Sequence, residues 1–407
     1  QPYKVPANWC WTYLKNVSDC LDNFRKPINA NERNARLGDV PYYGATGQVG
    51  WIDDYLTNEE LVLLGEDGAP FLDLLKNKAY LINGKAWVNN HAHILRSKFG
   101  TMGNRLLIEY LNSFDFTGFV TGTTRLKLTQ ASMNKIIIPL VPLAEQQRIV
   151  ERIESLFAKL DEAKENMQNV LEGFETRKAA ILHKAFTGEL TAKWRKQHGV
   201  SMDSWEEKAL GKIVKNIKDK YEPTLNNKKC VKYIGLEHIE KNNGIIGFGS
   251  SDDVKSLKTI FELGDILYGK LRPYLNKHDI AKFSGICSTD ILVYRAEDFN
   301  TAKFINYFMN TEKFIFYTVS NSKGINLPRI SEKEVSGILV NVPTLSEQSE
   351  IVRIIDDLLA KEQQAKELAE NAITKIDIIK KSILARAFRG ELGTNNPADE
   401  PAVELLK

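Results

Sequence analysis

The sequence predicts an α+β protein made as two copies of one unit, each a mixed α/β block followed by a long amphipathic helix. Three observations carry this. The stretch from Ala144 to Leu190, opening AEQQRIV and closing KAFTGEL, recurs without a gap from Ser346 to Leu392, every matched pair 202 residues apart. From Leu143 to Leu190, 21 of 48 positions are identical in the second copy; a repeat this long is a duplicated module, not a solenoid. Within both copies apolar residues alternate at spacings of four and three, the seam of a coiled coil. Outside them lie β-type runs punctuated by Gly-rich turns, so the order is globular, helix, globular, helix.

Composition bounds the class. With 407 residues, 43% hydrophobic and 26% charged, the chain is of ordinary soluble type and long enough for two or three cores. No run approaches the roughly 18 apolar residues of a membrane span. Cys10, Cys20, Cys230 and Cys287 have neither metal-ligand nor disulfide-framework spacing and are expected to be reduced thiols. The net charge of +3 divides into mildly basic globular blocks and an acidic last helix and tail, which permits nucleic-acid binding without demanding it.

The first block, residues 1–142, holds a buried strand at Leu61–Leu64 ending in a Gly-rich turn. An alternating strand is expected over Trp87–Leu95, and a closing apolar run from Lys135 to Val141. Short helices are expected at Asn104–Asn112 and Thr129–Asn134. The first long helix occupies 143–190, between Pro142 and Gly188, with seam residues Ile153, Leu156, Leu160, Met167 and Phe174. The second block, 191–343 with its leading linker, repeats the first more faintly. Trp205 and Leu210 answer Trp9 and Leu14 just before a first strand, Leu267-Tyr268-Gly269 answers Leu63-Leu64-Gly65, and Ser288–Arg295 answers Asn89–Arg96. The second long helix, 344–392, has Ile355, Leu358, Ile376, Ile379 and Ile383 in its seam, with Glu362 as a charged intruder. An acidic tail, 393–407, ends the chain. The helices are far more alike than the blocks, which suggests that the two blocks read different things.

Signals for chemistry are weak. Gly264 to Lys270 has the spacing of a phosphate-binding loop, but Leu271 stands where a Mg²⁺-binding hydroxyl is needed and Ile266–Tyr268 is strand-like. Gly247-Phe248-Gly249 lacks a strand–turn–helix context, and no Asn-Pro-Pro-Tyr/Phe tetrapeptide for adenine methylation occurs. His91 and His93 would share one face of a strand, yet no third ligand is visible near them. Asp53-Asp54 and Asp252-Asp253 read as solvated loops. The expectation is no catalytic residue and no metal site.

The helix segments VPLAEQQRIV and ILHKAFTGEL, then VPTLSEQSEIV and ILARAFRGEL, resemble the two spacer regions of specificity subunits of type I restriction-modification systems. GEDGAPFL, KAWVNNHAHILR, GDILYGKLRPYLNK and STDILVYRA resemble segments of that family's target-recognition domains, and NPADEPAVELL is similar to its C-terminus. The resemblance implies two target-recognition domains separated by two long antiparallel helices with a pseudo-two-fold internal repeat. Antiparallel helices would turn one reading domain end for end relative to the other, as the two-fold axis of duplex DNA requires. It also implies a non-catalytic, cytoplasmic subunit of a bacterial or archaeal system, bound to double-stranded DNA and to no membrane. Its partners would be two adenine-N6 methyltransferase subunits and restriction/translocase subunits, docked on the helices and tail. S-adenosylmethionine, ATP and Mg²⁺ would sit on those partners, and this chain would bind no cofactor.

Candidate DNA contacts are loop residues with long donors or planar amides, which can bond guanine or adenine edges or hold phosphates. In the first block these are Tyr43, Thr46, Gln48, Lys85, Asn89, Asn90, Arg96 and Arg125. In the second they are Lys270, Arg272, Tyr274, Asn276, Lys277, Ser288, Thr289, Lys323, Asn326 and Arg329. A reading from another class is a coiled-coil scaffold displaying two protein-binding domains.

Overall fold

A computed structural model of the chain describes residues 2–223 and 231–407, so Cys230 lies outside the described residues. The fold divides into two compact units. Unit 1 comprises residues 1–168 with 369–407, and unit 2 residues 169–368. Each contains one globular block and parts of both long helices.

In unit 1, Cys10–Tyr13 pairs antiparallel with Ile137–Leu140, joining the block's first strand to its last. Trp9 and Leu14 flank that first strand, where the sequence placed both before it. A four-stranded antiparallel sheet follows in the order Ser18–Cys20, Ala92–Ser97, Leu61–Gly65, Ala79–Ile82. A second sheet orders Gly47–Ile52, Val40–Gly44, Lys85–Val88, Thr57–Asn58. Val62 and Leu64 face the core that also holds Leu107, Leu111 and Phe116, while Leu61 and Leu63 face Val88 and Ile94. Both faces of this strand are buried, so its sequence is a continuous apolar run instead of an alternation. The single strand expected over Trp87–Leu95 is two, in different sheets, parted by the turn at Asn89–His91. The expected short helices are present as Gly100–Ser113 and Gln130–Met133.

Unit 2 repeats this plan. Glu206–Ala209, flanked by Trp205 and Leu210, pairs with Leu339–Val342. Its four-stranded sheet runs Lys215–Ile217, Ile291–Arg295, Ile266–Gly269, His278–Ile280, the same topological order as in unit 1. Ile266–Gly269 is thus a buried strand paired on both sides, not a loop that could cradle phosphate.

The long helices are Leu143–Glu172, continuing after Gly173 as Phe174–Phe186, and Leu345–Ala387. In unit 1, Asp161 meets Lys380 at 2.5 Å and Lys164 meets Asp377 at 2.8 Å. As one helix advances three residues the other recedes three, so the two run antiparallel. In unit 2 the same holds: Lys366 lies over the Phe174 ring, and Arg177 bonds Glu362 at 2.8 Å. Glu362, the charged intruder in the seam, therefore has a cation from the facing helix, a polar pair of the kind that fixes register. Gly173 makes room for it, because a Cβ there would lie 2.3 Å from Arg177 Nη1. Ile153, Ile355 and Ile376 are buried, and Leu156, Leu160, Met167, Phe174, Leu358 and Ile383 half-buried. Ile379 is a correction: it is 44% exposed. The four-three spacing from Ile376 to Ile383 places Lys380 in the seam instead, where its ammonium lies over the Phe157 ring at 4.8 Å and pairs with Asp161.

Both helices start on a fully buried carboxylate. Glu347 accepts from the Trp205 indole (3.0 Å), Thr191 (2.6 Å) and Arg195 (2.6 Å). Glu145 accepts from Trp9 (2.8 Å) and Thr394 (3.3 Å), with no bonded cation among the described residues, and burial raises its pKa. Gln146 and Gln348, next in sequence, each donate to the carbonyl five residues back, Val141 and Pro343, at 2.9 Å. The acidic tail is built into unit 1, not left extended: Asp399 pairs with Arg148, Ala402 is buried, and its N–H donates to Asn8 O. Cys10, Cys20 and Cys287 are free thiols, and among the described residues no helix is long and apolar enough to cross a membrane.

The two carboxylates should differ in mutation. Arg195→Met strands the charge of Glu347 and should lower stability by about 3–5 kcal/mol. Glu145→Gln, which keeps an acceptor for the Trp9 indole and leaves no bonded cation behind, should cost on the order of 1 kcal/mol. Denaturant unfolding of the two variants checks the ranking; equal losses would contradict it.

Candidate nucleic-acid interface

In each unit the turns at one end of the four-stranded sheet are tied into an edge by backbone hydrogen bonds. In unit 1, Glu66 N donates to His91 O (2.8 Å), Leu128 N to Glu66 O (2.7 Å) and Gly68 N to Leu126 O (3.0 Å). In unit 2 the same three bonds recur as Lys270 N to Asp290 O (2.9 Å), Ile330 N to Lys270 O (3.0 Å) and Arg272 N to Pro328 O (2.7 Å). A protruding loop rises from each edge. One is closed by reciprocal bonds between Thr121 and Lys127 and the other between Lys323 and Arg329, again 202 residues apart. Gly122 and Gly324 turn these loops at φ of +100° and +106°, where a side chain is strained.

The unit 1 edge gathers Tyr43, Thr46, Gln48, Asn89, Asn90 and Arg125. Asn89 N donates to Tyr43 O (3.1 Å), joining the Tyr43–Gln48 hairpin to the 89–91 turn. Thr46, Gln48, Asn90 and Arg125 are exposed and Tyr43 half-buried. Arg125 is held by Asp67 (2.6 Å), which also bonds His91 (2.8 Å). Asn89 is buried, its side-chain oxygen capping His91 N at 2.8 Å, so it shapes the turn. Lys85 and Arg96 are carried to the far ends of their strands. There Lys85 lies over Tyr55 and Arg96 pairs with Glu59 (3.4 Å) and Asp19 (3.8 Å). The structure does not bring them to the edge.

The unit 2 edge gathers Lys270, Arg272, Tyr274, Ser288, Thr289, Lys323, Asn326 and Arg329. Arg272, Tyr274, Thr289, Lys323, Asn326 and Arg329 are exposed, and Lys270 and Ser288 half-buried. Arg329 reaches Asp290 at 3.5 Å, and Ser288 Oγ accepts from Asp290 N. Arg272 and Asn276 both sit at positive φ, +53° and +43°; such strain in non-Gly residues concentrates at functional turns. Two candidates are turned inward. Asn276 is buried and donates to Met309 O at 3.0 Å, and Lys277 Nζ donates to Leu236 O at 2.7 Å.

Beneath the unit 1 edge lies a charge network invisible to sequence reasoning, because its members are far apart in the chain. His93 is 1% exposed in a strand, whereas His91 sits in the turn, so the two do not share a strand face. His93 bonds Asp22 (2.6 Å) and Leu128 O (2.8 Å). Asp22 also pairs with Arg25 (3.0 Å), which pairs with Glu66, and Glu66 with Lys127 (3.1 Å). Burial alone would lower the His93 pKa, but bonds to Asp22, Cys20 and Leu128 raise it to about 9. Cys20, Asp22 and His93 could offer three metal-ligand atoms within 4.8 Å. Both imidazole nitrogens, however, are committed to oxygen acceptors and a guanidinium occupies Asp22, so the arrangement fits an ion-pair network supporting the loop. Sequence reasoning gave no role to Ile325, which the unit 2 loop holds 99% exposed.

A model of the type I restriction modification DNA specificity domain matches twice, over residues 7–172 and 202–373. The EcoDI specificity subunit of a type I restriction enzyme from Escherichia coli is 30% identical over 98% of this chain and 92% of its own length. The EcoKI specificity subunit of E. coli K12 is 27% identical over 67% and 61%. Among solved structures, the HsdS subunit of Thermoanaerobacter tengcongensis shares the fold with a TM-score of 0.61 and 17% identity, over 96% of this chain and 99% of its own. A chain from work on complex assembly and conformational transition of a type I R-M system gives 0.69 and 16%, over 96% and 100%.

Since the folded pKa of His93 exceeds its unfolded value of about 6.5, its contribution is complete below pH 6.5 and is lost as pH rises through 9. It amounts to at most about 3 kcal/mol. His93→Gln should lower Tm near pH 6 and flatten its decline between pH 7 and 10; an unchanged pH profile would exclude the charged imidazole.

Proposed function

The chain belongs to the type I restriction-modification DNA specificity family, and on that premise we propose that it reads a bipartite, asymmetric DNA target, one half per unit. The observation that carries this is the pair of edges. The same three backbone hydrogen bonds build both, yet the side chains they present differ: Thr46, Gln48, Asn90 and Arg125 on one, Arg272, Tyr274, Lys323 and Asn326 on the other. One frame holding two sets of donors supports two unlike half-sites. Exposed Arg and Lys supply phosphate attraction, and the amides and Arg can bond base edges.

In this reading the chain performs no chemistry of its own. It acts in the cytoplasm of a bacterial or archaeal cell with two adenine-N6 methyltransferase subunits and with restriction/translocase subunits, which carry S-adenosylmethionine, ATP and Mg²⁺. The long helices are the docking surface, since their outer faces are charged and their seams are occupied by each other. The tail contributes less than its acidity suggests, Asp399 being paired with Arg148.

Long-read methylation mapping of cells expressing this chain with its neighbouring methyltransferase should reveal a new methyladenine motif in two unlike halves around a fixed gap. A stable complex that leaves no motif and binds DNA without a salt slope would turn the reading toward a protein-binding scaffold. Arg125→Ala and Lys323→Ala should each weaken DNA binding by about three- to tenfold and reduce the salt slope by about one, with assembly unchanged.

A further inference from the structure

We propose that Ile325, at the tip of the unit 2 loop, is an apolar wedge that presses between adjacent base pairs of the half-site this unit reads. The proposal rests on the DNA-reading function above. Ile325 is 99% exposed, with Leu327 at 52% and Tyr274 at 46% beside the same edge. A single exposed aliphatic residue is ordinary on a protein surface. This one is distinguished by its mounting.

The loop is closed at its base by main-chain bonds that hold its tip away from the edge. Lys323 and Arg329 exchange two backbone hydrogen bonds of 2.9 and 2.8 Å across its base. Pro328 O accepts from Arg272 N at 2.7 Å, and Ile330 N is bound to Lys270 O. Gly324 turns one shoulder at φ +106° and the ring of Pro328 restricts the other. Ile325 is thereby held in water, without the burial that a loop able to fold back could recover. Around it stand the exposed cations Lys323, Arg329 and Arg272. An apolar point within a basic rim is the complement of a duplex, whose charge is outside and whose stacked bases are apolar within.

The same loop in unit 1 carries Thr123, Thr124 and Arg125 in place of the apolar tip, with Arg125 anchored to Asp67. One half-site would then be read chiefly by hydrogen bonds and the other partly by how readily a base step opens. The unit 2 half-site should therefore contain a flexible pyrimidine–purine step.

The test uses the assembled methyltransferase complex and duplexes carrying its mapped motif, with 2-aminopurine placed at each base step in turn. Apart from the target adenines, which the methyltransferase subunits draw out of the stack, the wild-type complex should brighten the probe at one further step, in the unit 2 half-site only, reporting lost stacking. Ile325→Ala should abolish that signal and weaken binding about tenfold, or about 1.4 kcal/mol. Ile325→Leu, which keeps the apolar bulk, should retain both. Thr124→Ala should leave the signal unchanged. Equal fluorescence and affinity for wild type and Ile325→Ala, or an Ile325→Leu complex as weak as Ile325→Ala, overturns the wedge while the DNA-reading function stands. A wild-type complex that binds no DNA overturns that function and the wedge with it.

Discussion

The buried carboxylate at the start of each long helix is the interaction on which both units depend. Glu145 and Glu347 are fully enclosed, and an enclosed carboxylate is tolerated only where donors surround it. Those donors come from different parts of the chain. A tryptophan precedes the first strand of the block, and a threonine follows the end of the facing long helix. A single side chain thus fixes the helix start, the block's first strand and the segment beyond the other helix. The indole and threonine partners persist in both copies, while the arginine is present only in unit 2. The donor set has diverged under a constant requirement that the oxygens be bonded.

From that anchor the helix pair follows. Its register is set by polar contacts as well as by the apolar stripe: Asp161 with Lys380, Lys164 with Asp377, and Arg177 with Glu362. Half-exposed pairs of this kind contribute little stability. Their use is discrimination, since a slip of one heptad would set charges against apolar neighbours.

The sequence alone was a good guide wherever period or repetition carried the information. The long helices declare themselves through four-three spacing, and the duplication through identities at one offset. The buried strand at Leu61–Leu64 shows as a continuous apolar run. Juxtaposition was harder to see. Nothing local in Asn89, Asn276 or Lys277 reveals that their polar atoms are consumed inside the fold. Lys85 and Arg96 match the chemistry of a DNA contact but lie at the wrong strand ends. Ile379 looked like a seam residue because Lys380 did not, yet the lysine fills that position with its ammonium over the Phe157 ring and paired with Asp161. The network of Asp22, Arg25, Glu66, His93 and Lys127 draws on stretches more than a hundred residues apart, and no pattern of spacing announces it.

The protruding loops are closed by main-chain bonds at their bases, so the exposed tip residues, Thr123 and Thr124 in one and Ile325 and Asn326 in the other, take no part in closing them. Substitution at the tip therefore leaves the frame intact. A lineage carrying this fold can drift through new recognition preferences without passing through unfolded intermediates, and the two units can drift separately. Evolvability is in this sense a mechanical property, set by where the backbone closes.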